Sequence, residues 1–235
     1  MTEKKIIYND FYNEHKLKII DYLNKKYNWK PVFMSGSRED ISIISQVKKN
    51  YPSCITSDSL DLRQAQFNYT GIGQPKPIDA EILSSLSNHA FNYLSNLPDA
   101  SGNNFSYEER KSYYFDILKY WNTVIQNFKP DIFVSYSNIH TPVCLSLYLL
   151  CKYHYNIDIL FIHPVPLLNK DYHMIGSSIE TSYIPILKKY KSEIDIHIGQ
   201  DAKNYLESIR KKNPEKPNHI LKSHKTLEQT SKIGN

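Results

Sequence analysis

Residues 131–163 read DIFVSYSNIHTPVCLSLYLLCKYHYNIDILFIH, and this stretch decides the fold class. Ile132, Phe133 and Val134 form an apolar run between Pro130 and the polar turn Ser137–Pro142, the pattern of a strand buried on both faces. Val143–Tyr155 follows as a helix, and Asp158–His163 is a second apolar run, stopped by Pro164 and Pro166. Two buried strands joined by a helix make a βαβ unit, because a parallel pair needs a crossover of that kind. The expected fold class is therefore α/β with a mainly parallel sheet.

Working outward, Ser106-Tyr107-Glu108-Glu109 is a capping box that opens a helix ending before Pro130, with Tyr114, Ile117, Leu118, Trp121, Ile125 and Phe128 on its apolar face. A helix over Ile78–Leu97 precedes it and is broken by Pro98–Asn104. Residues 58–77 are polar and punctuated by Gly71, Gly73, Pro75 and Pro77, which predicts a long loop or a mobile insertion. Nearer the start, the pattern predicts a helix over His15–Tyr27, a buried strand over Pro31–Ser35 and a short strand over Cys54–Thr56. Ser37, with Asp40 three residues on, opens a helix through Ile41, Ile44 and Val47. Beyond His163 the pattern is ambiguous: Ile184–Tyr190 suits a short helix, Ile194–Ile198 an edge strand and Gln200–Lys212 a helix. The expected organisation is one α/β domain over 1–199 and a terminal helix with a basic tail or linker over 200–235.

A chain of 235 residues with 40% hydrophobic and 13% aromatic side chains has the material for one packed domain. Its net charge of +5 resides mainly in residues 201–235, where eight basic side chains face four acidic ones. A nearly neutral body lacks the basic face of a nucleic-acid binder, so no nucleic-acid partner is expected. The tail is compatible with peripheral attraction to an acidic membrane surface. Cys54, Cys144 and Cys151 are odd in number and form no C-x-x-C pair, so neither a disulfide framework nor a zinc site is indicated. No apolar leader follows Met1, and the uncharged stretch 132–151 is interrupted by Ser135, Ser137, Asn138, His140, Thr141 and Pro142, so a cytoplasmic, non-spanning chain is expected.

Ligands of open parallel sheets bind beyond the carboxyl ends of the strands, where loops and helix starts converge. That rule selects Ser35, Ser37 and Arg38 after one strand, Ser137, Asn138, His140 and Thr141 after the next, and His163 after the third. His140 is the first choice for a general base, since imidazole titrates near neutral pH; capping the following helix is the alternative role. Arg38 suits an anionic sugar or phosphate, or is a solvated surface cation. His173, beside Asp171, is a further candidate. The chain has no G-x-x-x-x-G-K-[ST], no G-x-S-x-G, no G-x-G-x-x-G after a strand and no metal-ligand spacing, which disfavours P-loop enzymes, conventional hydrolases and dehydrogenases.

The succession of an aromatic-rich helix from Tyr114, the run Phe128–Val134, a polar turn with His140, the helix Leu145–Cys151 and a strand ending in His163-Pro164-Val165-Pro166 resembles the N-terminal domain of two-domain, GT-B-type glycosyltransferases of capsular and surface glycans. The segment Asn204–Lys212 resembles the helix leading out of that domain. The resemblance implies a Rossmann-like three-layer domain that holds the acceptor, with His140 as base and Ser35, Ser37, Arg38, Ser137 and His163 lining the cleft. It implies no cofactor beyond a nucleotide-sugar co-substrate, and a glycan or lipid-linked acceptor. In this family a second domain binds the donor. Only a short polar stretch follows Lys212, so the expectation is an acceptor-binding half whose donor domain is supplied by another chain, or a non-catalytic α/β binding or scaffold module.

Overall fold

The computed structural model describes residues 2–36, 41–101, 106–136, 139, 141–167 and 170–176, with the backbone alone for 41, 91–101 and 163–176. In chain order the elements are β1 (Lys4–Asn9), α1 (Glu14–Tyr27), β2 (Trp29–Gly36), α2 (Ile41–Asn50), β3 (Ile55–Asp58), α3 (Ser59–Arg63), α4 (Ala80–Ser101), α5 (Tyr107–Phe128), β4 (Ile132–Ser135), α6 (Pro142–Leu149), a π-helical turn (Leu150–His154), β5 (Asp158–Leu167) and β6 (Lys170–Gly176). The strand order is β3-β2-β1-β4-β5-β6, and the first five strands are mutually parallel. This is an α/β, Rossmann-like three-layer sheet, as the apolar runs around 131–163 predict.

Alternation along the central strands sorts the two faces. Ile6 and Tyr8 of β1, Met34 of β2 and Ile132 and Val134 of β4 pack with Leu17 and Ile20 of α1 and Ile43 and Val47 of α2. Ile7, Phe33, Phe133 and Phe161 turn to the other side and meet α5 and α6. A register shift opposite Ile6 and Ile7 lets both Val32 and Phe33 face that second core. It is the more aromatic of the two, built around Trp121, Tyr120 and Tyr148, with the Trp121 indole N–H donating to the Val143 carbonyl at 2.8 Å.

Several local expectations are refined. β1, unread in the sequence, is the central strand. The Ser106–Glu109 capping box is present, and α5 ends at Lys129 in the left-handed region, φ 46°. α4 carries through Pro98 to Ser101 rather than breaking there. β5 likewise passes through Pro164 and Pro166. Its pairing with β4 ends at Phe161, and two prolines spaced by two present their missing N–H groups to one unpaired edge. The stretch 58–77 starts as β3 and α3, and its irregular part is packed: Leu62 and Ile72 are core residues, with Phe67 and Tyr69 against them.

The chain divides into two compact units, Met1–Pro164 with His173–Tyr190 and Val165–Tyr172 with Lys191–Asn235. The elements expected over 184–212, and the boundary expected at 199–200, lie outside the described residues.

Candidate functional site

The sheet changes direction between β1 and β4: β2 and β3 are added on one side of β1, β4 and β5 on the other. In open α/β sheets the two helical layers part at such a switch point, here beyond the carboxyl ends of β1 and β4, and ligands bind there.

The floor of this edge is a buried polar network. Asn9, 2% exposed at the end of β1, donates from Nδ2 to Ser135 Oγ at 3.1 Å and accepts at Oδ1 from Ser35 Oγ at 2.9 Å and from the Cys144 thiol at 3.3 Å. Thr141, the N-cap of α6, donates to Cys144 Sγ at 3.1 Å and accepts from the Cys144 amide at 3.4 Å. One amide thereby ties together the ends of three strands and the first turn of α6, with both of its polar atoms engaged. Burial pushes the Cys144 thiol up, against the hydrogen bonds from Thr141 and to Asn9, so it stays a neutral donor.

Above the floor the chain leaves β1 through Asp10, whose φ of 63° is in the left-handed region that a short polar side chain tolerates. The Asp10 and Phe11 amides donate back to the Ser35 carbonyl at 2.8 and 3.4 Å. Asn13 then caps α1, accepting from the Lys16 amide at 2.9 Å. Lys16, its side chain 12% exposed, reaches back to donate to the Asp10 carbonyl at 2.6 Å, stands 3.3 Å from the Asp10 carboxylate and lies 4.2 Å above the Tyr136 ring. One cation therefore joins the loop after β1 to the loop after β4. Tyr12 completes the edge toward β3, donating to the Met34 and Ser57 carbonyls, both at 3.1 Å, with its ring so close to Gly36 that a Cβ there would sit 2.6 Å from Cγ. Gly36 is the residue the close approach requires.

Neither a family model nor a curated protein matches the chain.

The geometry therefore carries the functional reading, and it sorts the residues selected by the strand-end rule. Ser35 and Thr141 stand at the edge but are buried and face the floor, where Asn9 and Cys144 hold them. Ser37, Arg38, Ser137, Asn138 and His140 lie outside the described residues; the segment 137–140 joins Tyr136 of the rim to Thr141 of the floor. His163 lies in β5 beyond its last pair with β4, and His173 lies in β6; their side chains are outside the description. The residues that sequence reasoning missed are Asn9, Asp10 and Lys16. The signal was there, since Ile6-Ile7-Tyr8 followed at once by Asn9-Asp10 is a short buried strand running into a polar end.

Among the described residues no cluster of three His, Cys, Asp or Glu could hold a metal ion. Among the described residues, two open clefts lie elsewhere, at the amino ends of the strands. One of about 380 Å³ is lined by Gln126, Lys129, Pro130 and Tyr155; the other, of about 460 Å³, is lined by Glu3, Lys30, Tyr51 and Ser53. The convergent polar groups among the described residues lie at the carboxyl edge and not at these clefts. Strand-end chemistry is the better guide to function in an open parallel sheet.

Proposed function

We propose that the chain acts in surface or capsular polysaccharide biosynthesis as the acceptor-binding half of a GT-B-type glycosyltransferase, holding a glycan or lipid-linked acceptor in the crevice between the loops after β1 and β4. Sugar transfer from a nucleotide-sugar donor then depends on a donor domain supplied elsewhere. The observation that supports this reading most is the closed first βα turn. A dinucleotide site offers free amides and a glycine-rich turn at that point. Here the Asp10 and Phe11 amides are spent on Ser35, Asn13 caps α1, and the Asp10 carboxylate puts negative charge where a pyrophosphate would sit. What the rim offers instead, a carboxylate, a lysine and the edge of a tyrosine, is a set suited to sugar hydroxyls.

In this reading His140, in the connection between Tyr136 and α6, takes the proton of the acceptor hydroxyl as its oxygen attacks the anomeric carbon and the nucleoside diphosphate leaves. Ser37, Arg38, Ser137, Asn138, His163 and His173 form the acceptor-lining set, while Ser35 and Thr141 act through the floor. The reaction belongs on the cytoplasmic side. No helix among the described residues is long and apolar enough to cross a membrane, and the basic stretch 201–235 would draw the chain to an anionic inner surface, at about 1 kcal/mol for each Lys or Arg near it.

Titration calorimetry with a panel of oligosaccharides, lipid-linked saccharides and nucleotide sugars tests this. An acceptor should bind and lose about tenfold in affinity in the Asp10→Asn, Lys16→Met double variant, the scale of one charge-assisted contact. Preferential binding of nucleotide sugars, insensitive to that variant, would reverse the assignment. Binding of neither would favour the scaffold reading.

A further inference from the structure

Arg63 is the cation at this edge that the account above leaves unused. α3 leaves the end of β3 directly, with Asp58 as its N-cap, and packs against α6. Leu62 is fully buried and its carbonyl accepts the Tyr113 hydroxyl at 3.0 Å, so the backbone next to Arg63 is fixed at the carboxyl edge. Arg63 is half-buried, its Nε is sealed from solvent without a hydrogen-bond partner, and no carboxylate among the described residues pairs with it. Its charge acts on the Tyr113 hydroxyl and on the Cys144 thiol, which also feels Asp10, so Arg63 belongs to the surroundings of the first turn of α6.

A guanidinium N–H stripped of water and left without a partner is costly, since that donor forfeits its hydration. Its planar fork matches the oxygens of a carboxylate or phosphate. We infer that Arg63 receives an anionic oxygen group of the ligand, so that the acceptor recognised at this edge is acidic. This rests on the acceptor reading above. The anion has two sources, the carboxylate of a uronic acid or the diphosphate of a lipid carrier, and both present the same oxygens to the fork.

The test titrates the full chain, and its Arg63→Met and Arg63→Lys variants, with a glucuronic-acid-terminated disaccharide, its glucose-terminated counterpart, geranyl diphosphate and inorganic pyrophosphate. At least one anionic probe should bind more tightly than the neutral disaccharide, and Arg63→Met should weaken that probe by about 10- to 100-fold while leaving the neutral one unchanged. Which anion gains identifies its source. Arg63→Lys should keep the charge preference in part, and it serves as the reading should Arg63→Met fail to fold. Because an unpaired charge is removed, the Tm of Arg63→Met should stay level or rise; an arginine with a purely structural role would lower it. Equal binding of anionic and neutral probes, or no effect of either variant on anion binding, overturns the inference while leaving the acceptor reading intact. Arg63-dependent binding of pyrophosphate with no saccharide bound would keep the anion site and remove the acceptor reading.

Discussion

The two ends of the sheet are built on opposite plans. At the carboxyl ends of β1, β2 and β4 the floor is polar and hydrogen-bonded: Asn9, Ser35, Ser135, Thr141 and Cys144 share one network, and Lys16 ties the loops above it. At the amino ends two clefts open to solvent, and the Cys54 thiol makes a 3.6 Å contact to the Ile55 carbonyl. An open cleft holds nothing in place, whereas a hydrogen-bonded buried network marks a place where geometry is held. Such networks rigidify what stands above them, which is what a binding edge needs.

The largest expected effect separates the cysteines of the two ends from the solvent. Burial pushes the Cys54 thiol from an ordinary value near 9 up to about 12, and the Tyr114 hydroxyl from 10 to about 12. Both groups are neutral in the folded chain at pH values where the unfolded chain ionises them. Their contribution to stability is therefore complete below pH 9 and is lost as pH rises from 9 to about 12, at about 1.4 kcal/mol per pH unit for each group once it ionises in the unfolded state. Urea unfolding at pH 8, 9.5 and 11 should show this decline, and iodoacetamide should leave Cys54, Cys144 and Cys151 unmodified until the chain unfolds. Rapid native alkylation of Cys144 would mean that the floor network is open.

Asn9→Leu attacks the carboxyl end alone. It leaves the Ser35, Ser135 and Cys144 groups without their shared partner and should cost about 2–4 kcal/mol in urea unfolding. A cost below about 1 kcal/mol would reduce the network to ordinary packing. Lys16→Met removes a nearly buried bridge between two loops and should cost about 1–2 kcal/mol, with loss of acceptor affinity larger than the loss of stability suggests. At the amino end, Lys129→Gly replaces a left-handed non-glycine C-cap and should stabilise by up to about 1 kcal/mol without touching ligand binding. A ligand effect there would place function at the Gln126–Tyr155 cavity.

How much of this was legible in the sequence follows from range. β4, α6 and β5 announce themselves because each is a continuous apolar run with its own stops, and the Ser106–Glu109 cap is a four-residue signal that the backbone honours. β1 is not legible in the same way: six residues with two lysines look like a polar start, and only pairing on both sides makes them the centre of the sheet. The site inherits that difference. Ser35 and Thr141 follow readable strands, but their partners Asn9 and Cys144 meet across a separation of 135 residues, which no local pattern encodes. Arg63 hides for a related reason, in a stretch whose polarity predicts a loop while Leu62, Phe67 and Ile72 pin it to the core.

The carboxyl edge is the proposed place of ligand binding. Hydrogen exchange of the chain with and without a saturating acidic saccharide acceptor tests that most directly. Protection should gather at Asp10–Lys16 and from Tyr136 to Cys144, with the amino-end residues Gln126–Pro130 and Tyr155 unchanged. Protection confined to those amino-end residues, with the Asp10–Lys16 loop exchanging as before, would contradict it.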